Sequence, residues 1–154
     1  MNIVFLDYDG VVNTPMWNED GTQCRYNFPS DHAVNNFQAV QWVSEFCQKY
    51  DYSIVVTSTW RMDDNYDICL FNGGLRPGIC LRGRTKVLHG TRGEEIELYL
   101  KEHPEVTGYL IFDDEADLTE AQKDRLVKTN GDVGFAEYDF KHAVRLHKKF
   151  NSTK

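Results

Sequence analysis

Long apolar runs and paired cysteines are both missing from this chain. No apolar run approaches the roughly 20 residues that a membrane-spanning helix needs, so we expect no membrane association. The N-terminal apolar run is interrupted by Asp7, which argues against a signal peptide. No CxxC spacing occurs, which argues against a zinc site or a redox pair and favours reduced thiols at Cys24, Cys47, Cys69 and Cys80. These features predict a cytoplasmic protein.

Positive charge is scarce as well. The chain has 17 Lys and Arg residues against 24 Asp and Glu residues, a net charge of −7, so we expect no extended nucleic-acid-binding face. Residues 68–93 are the exception, because they contain no acid but carry Arg76, Arg82, Arg84, Lys86 and Arg92. This segment either attracts an anionic substrate or offsets acids elsewhere, and the sequence leaves both interpretations open.

The length of 154 residues suits one domain, which we place at residues 1–150, followed by a polar tail at 151–154. Short apolar runs predict strands at 3–6, 53–56, 108–112 and 126–128. Helical spacing predicts a helix that starts after Ser30 as its N-cap, and further helices at 92–103 and 139–150. Residues 14–29 are predicted to form a loop or flap, and 62–91 a short helix followed by loops. This alternation predicts an α/β fold, a three-layer sandwich with a mainly parallel central sheet.

Acidic and hydroxyl side chains follow three of the predicted strands. Asp7 and Asp9 follow the first strand, the hydroxyl run 57–59 follows the second, and the pair Asp113-Asp114 follows the third. Side chains at i and i+2 of a strand point the same way, and open α/β sheets bind ligands beyond the carboxyl ends of their strands. If the strands are parallel neighbours, all of these side chains face one crevice.

This crevice is suited to phosphoryl transfer. Four converging carboxylates need a compensating cation, and Mg²⁺ is the common choice at phosphate-handling sites. If the acids converge, we expect Asp7 to attack phosphorus and form an aspartyl-phosphate, and Asp9 to protonate the leaving oxygen and later to take a proton from water. Donors for the phosphoryl oxygens are expected from Ser58 and from a cation, either Arg92 or Lys86.

The order of these motifs resembles the haloacid dehalogenase (HAD) superfamily of phosphohydrolases. The first motif of that superfamily, DxDG[TV], matches DYDGV at 7–11, its second matches the hydroxyl after the strand 54–56, and its last matches the pair at 113–114. The resemblance is closer to a small subgroup that includes the HAD domains of bacterial RNA-repair proteins. Motifs of that subgroup match STWR at 58–61, RGEEI at 92–96 and IFDD at 111–114. The resemblance implies a Rossmann-like fold without a large cap domain.

The resemblance also implies roles for individual residues. Asp7 would be the nucleophile and a Mg²⁺ ligand, and Asp9 the acid/base and a ligand through its backbone carbonyl. Asp113 would bind the metal directly, with Asp114 beside it or acting through water. Ser58 would hold the phosphoryl group, with Thr57 as the alternative register.

The third motif departs from the superfamily pattern, in which a lysine is expected. Arg92 stands at the corresponding helix start, where backbone N–H groups would help to bind an anion, and Lys86 lies six residues earlier. Two neighbouring side chains are also open to interpretation. Trp60 either packs beneath the strand end or stacks on substrate, and Arg61 either pairs with an acid or contacts phosphate.

An uncapped site suits a large substrate, such as a 3′-phosphate on a nucleic-acid terminus, although a nucleotide or another small phosphorylated molecule fits as well. In either case the flap at 14–29 and the basic loop at 76–92 would select the substrate. A non-catalytic phosphate- or protein-binding module on a HAD scaffold is the main alternative. Receiver domains and Toprim nuclease domains place their acids in a different order along the chain.

Overall fold

The computed structural model describes residues 1–15, 20 and 33–151. Within these residues the strands are β1 (Asn2–Leu6), β2 (Tyr52–Val56), β3 (Leu81–Arg84), β4 (Gly108–Asp113) and β5 (Leu126–Lys128). The α-helices are α1 (Phe37–Tyr50), α2 (Tyr66–Asn72), α3 (Arg92–Glu102), α4 (Glu120–Lys123) and α5 (Glu137–Asn151).

All five strands run parallel, in the order β3-β2-β1-β4-β5. The chain builds outward from β1 to β3 and then crosses back to β4, so the strand order reverses beside β1. Ligands of open α/β sheets bind at such a switch point, beyond the carboxyl ends of the strands. The predicted Rossmann-like α/β class is confirmed, and the described residues include no cap domain.

The sheet is covered on both faces, as parallel sheets usually are. On one face, Val4 and Leu6 of β1 belong to a core cluster with residues of α1 and α5. On the other face, Ile3 and Phe5 belong to a second cluster with Ile96 of α3. Successive side chains of β1 thus point to opposite faces of the sheet, and each face packs against helices. The fold therefore has three layers, with the sheet between two layers of helices.

Helix α1 begins later than the sequence suggested. Its first residue is Phe37, and the side chain of Asn36 caps it by accepting a hydrogen bond from the Ala39 amide. Ser30, the expected cap, lies outside the described residues. Val34 continued the apolar spacing because it is buried in the same core, yet it precedes the helix. The spacing of buried apolar residues therefore predicted a start of α1 that is too early.

Strand β3 was not predicted, because residues 62–91 were expected to hold only a short helix and loops. It has four residues, alternates between half-buried and exposed positions and contains Gly83, so its composition resembles a loop. The short helix α2 was predicted. A 3₁₀-helix at Thr59–Met62 and the four-residue α4 are further additions of the structure.

The ends of two predicted segments also differ in the structure. Helix α5 begins at Glu137, earlier than expected, and includes Asn151, which we expected to start the polar tail. Residues 152–154 and most of the predicted flap at 14–29 lie outside the described residues. Among the helices that are described, none is both long and apolar enough to cross a membrane.

Candidate active site at the carboxyl edge of the sheet

The parallel hydrogen-bond ladder continues one residue beyond the central strands. The Asp7 amide donates to the Phe112 carbonyl (3.1 Å), and the Thr57 amide donates to the Leu6 carbonyl (2.9 Å). Because β1 lies between β2 and β4, Asp7 is placed between Thr57 and Asp113. The predicted convergence of the strand tips is therefore present.

The turn after β1 is held tightly against the acidic pair. The Tyr8 carbonyl accepts hydrogen bonds from the backbone amides of residues 11, 12 and 13. Gly10 has a φ of +84°, and a Cβ atom there would overlap the Asp114 carboxylate. The Thr129 hydroxyl donates to the Gly10 carbonyl (2.7 Å). Glycine is thus required both by the backbone conformation and by the close approach of Asp114.

Three carboxylates meet at this edge. Oxygens of Asp7, Asp113 and Asp114 all lie within 4.8 Å of one another. One guanidinium group joins them, because Arg92 Nη1 lies 2.6 Å from Asp113 Oδ2 and 3.3 Å from Asp7 Oδ2. When all three acids are ionised, one positive charge leaves two negative charges uncompensated. Hard oxygen donors with such an excess suit a divalent cation such as Mg²⁺.

Burial and mutual repulsion alter the ionisation of this cluster. Burial, followed by the charge of Asp113, raises the pKa of Asp7 well above its usual value, and Arg92 offsets only part of this effect. Burial and Asp113 also raise the pKa of Asp114, to about 6. Burial by itself would lower the pKa of Arg92, but the carboxylates of Asp7 and Asp113 outweigh it and raise that pKa. The guanidinium therefore stays charged beside Asp7, whose carboxyl group is costly to ionise.

The side chain of Asp9 is held apart from this cluster. Its Oδ1 atom accepts hydrogen bonds from Asn13 Nδ2 (3.0 Å) and from the indole Nε1 of Trp60 (3.0 Å). Trp60 is 6% exposed and belongs to the hydrophobic core, so it packs beneath the strand end. The contact with Asp9 was not anticipated from the sequence. A buried indole N–H usually needs an acceptor, and that requirement was the only available signal.

The two hydroxyls considered for phosphate binding differ in their surroundings. Ser58 Oγ accepts a hydrogen bond from the Trp60 amide (3.3 Å) and so caps the 3₁₀-helix. Thr57 Oγ1 is buried and has no hydrogen-bond partner among the described residues. Thr57 also follows β2 at the level where Asp7 follows β1, since Leu6 pairs with Val56.

Arg61 is a buried structural clamp. Its Nη1 donates to the carbonyls of Thr57 (2.7 Å) and Ser58 (2.8 Å), and its Nε donates to the Thr85 carbonyl (2.9 Å). Its Nη2 pairs with Glu95 Oε2 at 2.7 Å. Of the two interpretations left open by the sequence, pairing with an acid is the one observed. The clamp ties the ends of β2 and β3 to α3.

The basic segment 68–93 is largely neutralised by acids from elsewhere in the chain. Besides Arg92, three of its residues form ion pairs: Arg76 with Glu45 (2.7 Å), Arg84 with Asp64 (3.9 Å) and Lys86 with Glu102 (2.9 Å). The Lys86 side chain is 66% exposed. It does not join the carboxylate cluster, whereas Arg92 does. The charge-offsetting interpretation fits these three pairs.

The amino terminus of α3 does not offer the amides that we expected to bind an anion. The Gly93 amide donates to the Asp117 carbonyl (3.0 Å), and the Glu94 amide donates to Thr91 Oγ1 (3.2 Å). The Arg92 amide faces Asp117 Oδ2 at 3.4 Å. Asp117, in the loop after β4, therefore accepts from the Arg92 and Gly93 amides, and the N-cap Thr91 accepts from the Glu94 amide. These contacts count against the expectation, and the side chain of Arg92 is the part that reaches the cluster.

A pocket of about 220 Å³ opens beside Arg92 and Asp113, and Met62, Val87 and His89 contribute to its wall. The carboxylate cluster therefore has open space next to it, with both charged and apolar neighbours. This space can accept a group larger than a phosphoryl group.

The strand order and the sequence of acidic strand tips define a domain of the HAD superfamily. Within that superfamily, the family described as "HAD domain in Swiss Army Knife RNA repair proteins" matches residues 3–140, and the chain belongs to this family. The resemblance noted in the sequence is thereby confirmed. No curated protein and no solved structure matches the chain.

Proposed function

We propose that this protein is a Mg²⁺-dependent phosphatase that hydrolyses a phosphomonoester through an aspartyl-phosphate intermediate. The observation that supports this most strongly is the convergence of Asp7, Asp113 and Asp114 within 4.8 Å, beside the guanidinium of Arg92. Membership of a HAD family supports hydrolase chemistry in general.

Asp7, Asp113 and Asp114 would hold the metal through carboxylate oxygens, together with the backbone carbonyl of Asp9. Their uncompensated negative charge and their oxygen donors fit Mg²⁺. When bound, Mg²⁺ would neutralise these carboxylates and the substrate oxygens, which lets an anionic group approach Asp7.

Asp7 would act as the nucleophile. Its carboxylate oxygen bonds to phosphorus while the bond from phosphorus to the leaving oxygen breaks, and Asp9 gives that oxygen a proton. In the second step Asp9 takes a proton from water, whose oxygen attacks phosphorus and releases inorganic phosphate and free Asp7. Asp9 is protonated again at the end of the cycle.

Arg92 is our choice for the cation that binds the phosphoryl oxygens, because Lys86 lies in an exposed ion pair with Glu102. For the hydroxyl donor we favour Thr57, since its buried Oγ1 has no partner among the described residues. Ser58, which already caps a helix with its hydroxyl, is the alternative.

We propose a phosphorylated nucleic-acid terminus as the substrate, with a 3′-phosphate as the first case to test. The support is the family's description as an RNA-repair domain. The net charge of −7 favours contact with a terminal phosphate over binding along a duplex. A nucleotide or a phosphorylated metabolite is the competing substrate. A cytoplasmic location belongs to the same proposal and is supported by the free thiols of Cys47, Cys69 and Cys80.

The test is phosphate release from 3′- and 5′-phosphorylated oligonucleotides, nucleoside monophosphates and phosphorylated metabolites, each with Mg²⁺ and with a chelator. We expect Mg²⁺-dependent turnover that Asp7→Asn abolishes while its circular dichroism spectrum stays that of the wild type. Turnover retained by Asp7→Asn would mean another nucleophile. Binding of phosphate esters without any turnover would instead support the non-catalytic module.

A further inference from the structure

The carboxyl group of Asp9 is fixed by donors from two different parts of the chain. Asn13 lies in the turn that follows β1, and Trp60 lies in the 3₁₀-helix that follows β2. Both donate to the same atom, Asp9 Oδ1, at 3.0 Å. A carboxyl group bound twice on one oxygen has little rotational freedom, so its other oxygen keeps a defined direction.

Neither donor can reverse its role. An indole N–H only donates, and it has no lone pair available to accept. The Asn13 amide is oriented by its other end, because Asn13 Oδ1 accepts the Asn35 backbone amide at 3.0 Å. Its NH₂ group is therefore the end that faces Asp9. Oδ1 is always an acceptor under these conditions, and a proton on Asp9 has to reside on Oδ2.

Trp60 is itself held rigidly. It is 6% exposed, it packs in the hydrophobic core, and the neighbouring Arg61 clamps the same 3₁₀-helix to β3 and α3. The indole N–H therefore has a fixed position, and its hydrogen bond fixes the orientation of the Asp9 carboxyl group. A positioning group is effective only when its own rotamer is locked in this way.

We infer that Trp60 is a positioning residue for the chemical step. Together with Asn13 it holds Asp9 so that Oδ2 is the oxygen that exchanges the proton with the leaving group. This inference rests on the proposed function, in which Asp9 is the acid/base. Trp60 acts through Asp9 and makes no contact with substrate in this scheme.

The test compares kcat/KM for two esters with different leaving groups, β-glycerol phosphate and p-nitrophenyl phosphate. An alkoxide leaving group needs a proton from Asp9, whereas nitrophenolate leaves without one. Trp60→Phe should therefore lower kcat/KM for β-glycerol phosphate at least about tenfold more than for p-nitrophenyl phosphate, a part of the 10²–10⁴ that acid catalysis supplies. Asp9→Asn should also lower kcat/KM more for β-glycerol phosphate than for p-nitrophenyl phosphate. In the double variant, Trp60→Phe should not change the ratio of kcat/KM between the two esters any further.

Trp42→Phe is the matched control, because Trp42 is partly buried and packs against Phe140 at the edge of the core, whereas the Asp9 carboxyl group is bound by Asn13 and Trp60. It should leave the ratio between the two esters unchanged. A second measurement does not depend on turnover. The indole N–H signal of Trp60 in an ¹H–¹⁵N spectrum should shift in Asp9→Ala, and the Trp42 signal should not.

The possible outcomes separate the two proposals. A wild-type protein that with Mg²⁺ is inert toward both esters and also toward the oligonucleotides, nucleotides and metabolites of the substrate test refutes the proposed function and this inference with it. An active wild type in which Trp60→Phe slows both esters equally refutes the inference alone, because that pattern indicates a purely structural role. If Trp60→Phe does not fold, Asn13→Ala removes the other donor and must show the same bias toward the alkyl ester. An unmoved indole signal in Asp9→Ala also overturns the inference.

Discussion

Replacing Arg61 with methionine should strongly destabilise the protein. The change keeps a long apolar stem but removes a guanidinium whose side chain is 4% exposed, and it leaves Glu95, 9% exposed, as an unpaired acid. Breaking a buried ion pair by removing one partner costs about 3–5 kcal/mol. The carbonyls of Thr57, Ser58 and Thr85 also lose their donor. We expect the free energy of unfolding to fall by about 3–5 kcal/mol, a large part of the roughly 5–15 kcal/mol typical of a domain.

Urea unfolding followed by circular dichroism measures this loss, and a double variant tests its cause. If the unpaired carboxylate is responsible, Arg61→Met with Glu95→Met should be more stable than Arg61→Met alone, because two apolar side chains replace a buried charge pair. Arg76→Met is the matched control. Its ion pair with Glu45 has side chains that are 34% and 46% exposed, and such pairs contribute at most about 1 kcal/mol. A loss at Arg61 no larger than at Arg76, or purely additive losses in the double variant, would refute this reasoning.

Three other predictions concern the carboxylate edge. Mg²⁺ should raise the Tm of the wild type in thermal unfolding but have little effect on Asp113→Asn, and an equal rise in both would place the ion elsewhere. Gly10→Ala should lower the free energy of unfolding, measured in urea, by about 1–3 kcal/mol, because φ is +84° and the new Cβ overlaps Asp114; a neutral change would contradict that close approach. Arg92→Ala should reduce kcat/KM far more than Lys86→Ala, and the opposite ranking would reassign the phosphate-binding cation.

The sheet and the acidic edge were predictable because both depend on local patterns. Buried parallel strands appear as continuous apolar runs, and β1, β2 and β4 are such runs. Parallel neighbours bring their carboxyl ends to one edge, so the acids at the carboxyl ends of β1 and β4 had to meet. Strand β3 escaped prediction because it is short, half exposed at the sheet edge and interrupted by Gly83.

The contacts around the acids could not be predicted, because they join residues that are far apart in the sequence. The hydrogen bond between Trp60 and Asp9 joins residues 51 positions apart in the sequence, and the one between Arg61 and Glu95 joins residues 34 positions apart. No periodicity or spacing links such pairs. The same holds for the start of α3, where the distant Asp117 occupies an amide that local reasoning had left free.

The pairing of β1 with β4 affects how the chain is made. The two strands pair from Asn2 with Gly108 to Leu6 with Phe112, so most of the polypeptide lies between the partners. During synthesis β1 leaves the ribosome long before β4 does. Until β4 emerges, the edge of this apolar strand that pairs with β4 is uncovered. Uncovered strand edges promote association between chains. Fragments that end before residue 108 should consequently aggregate.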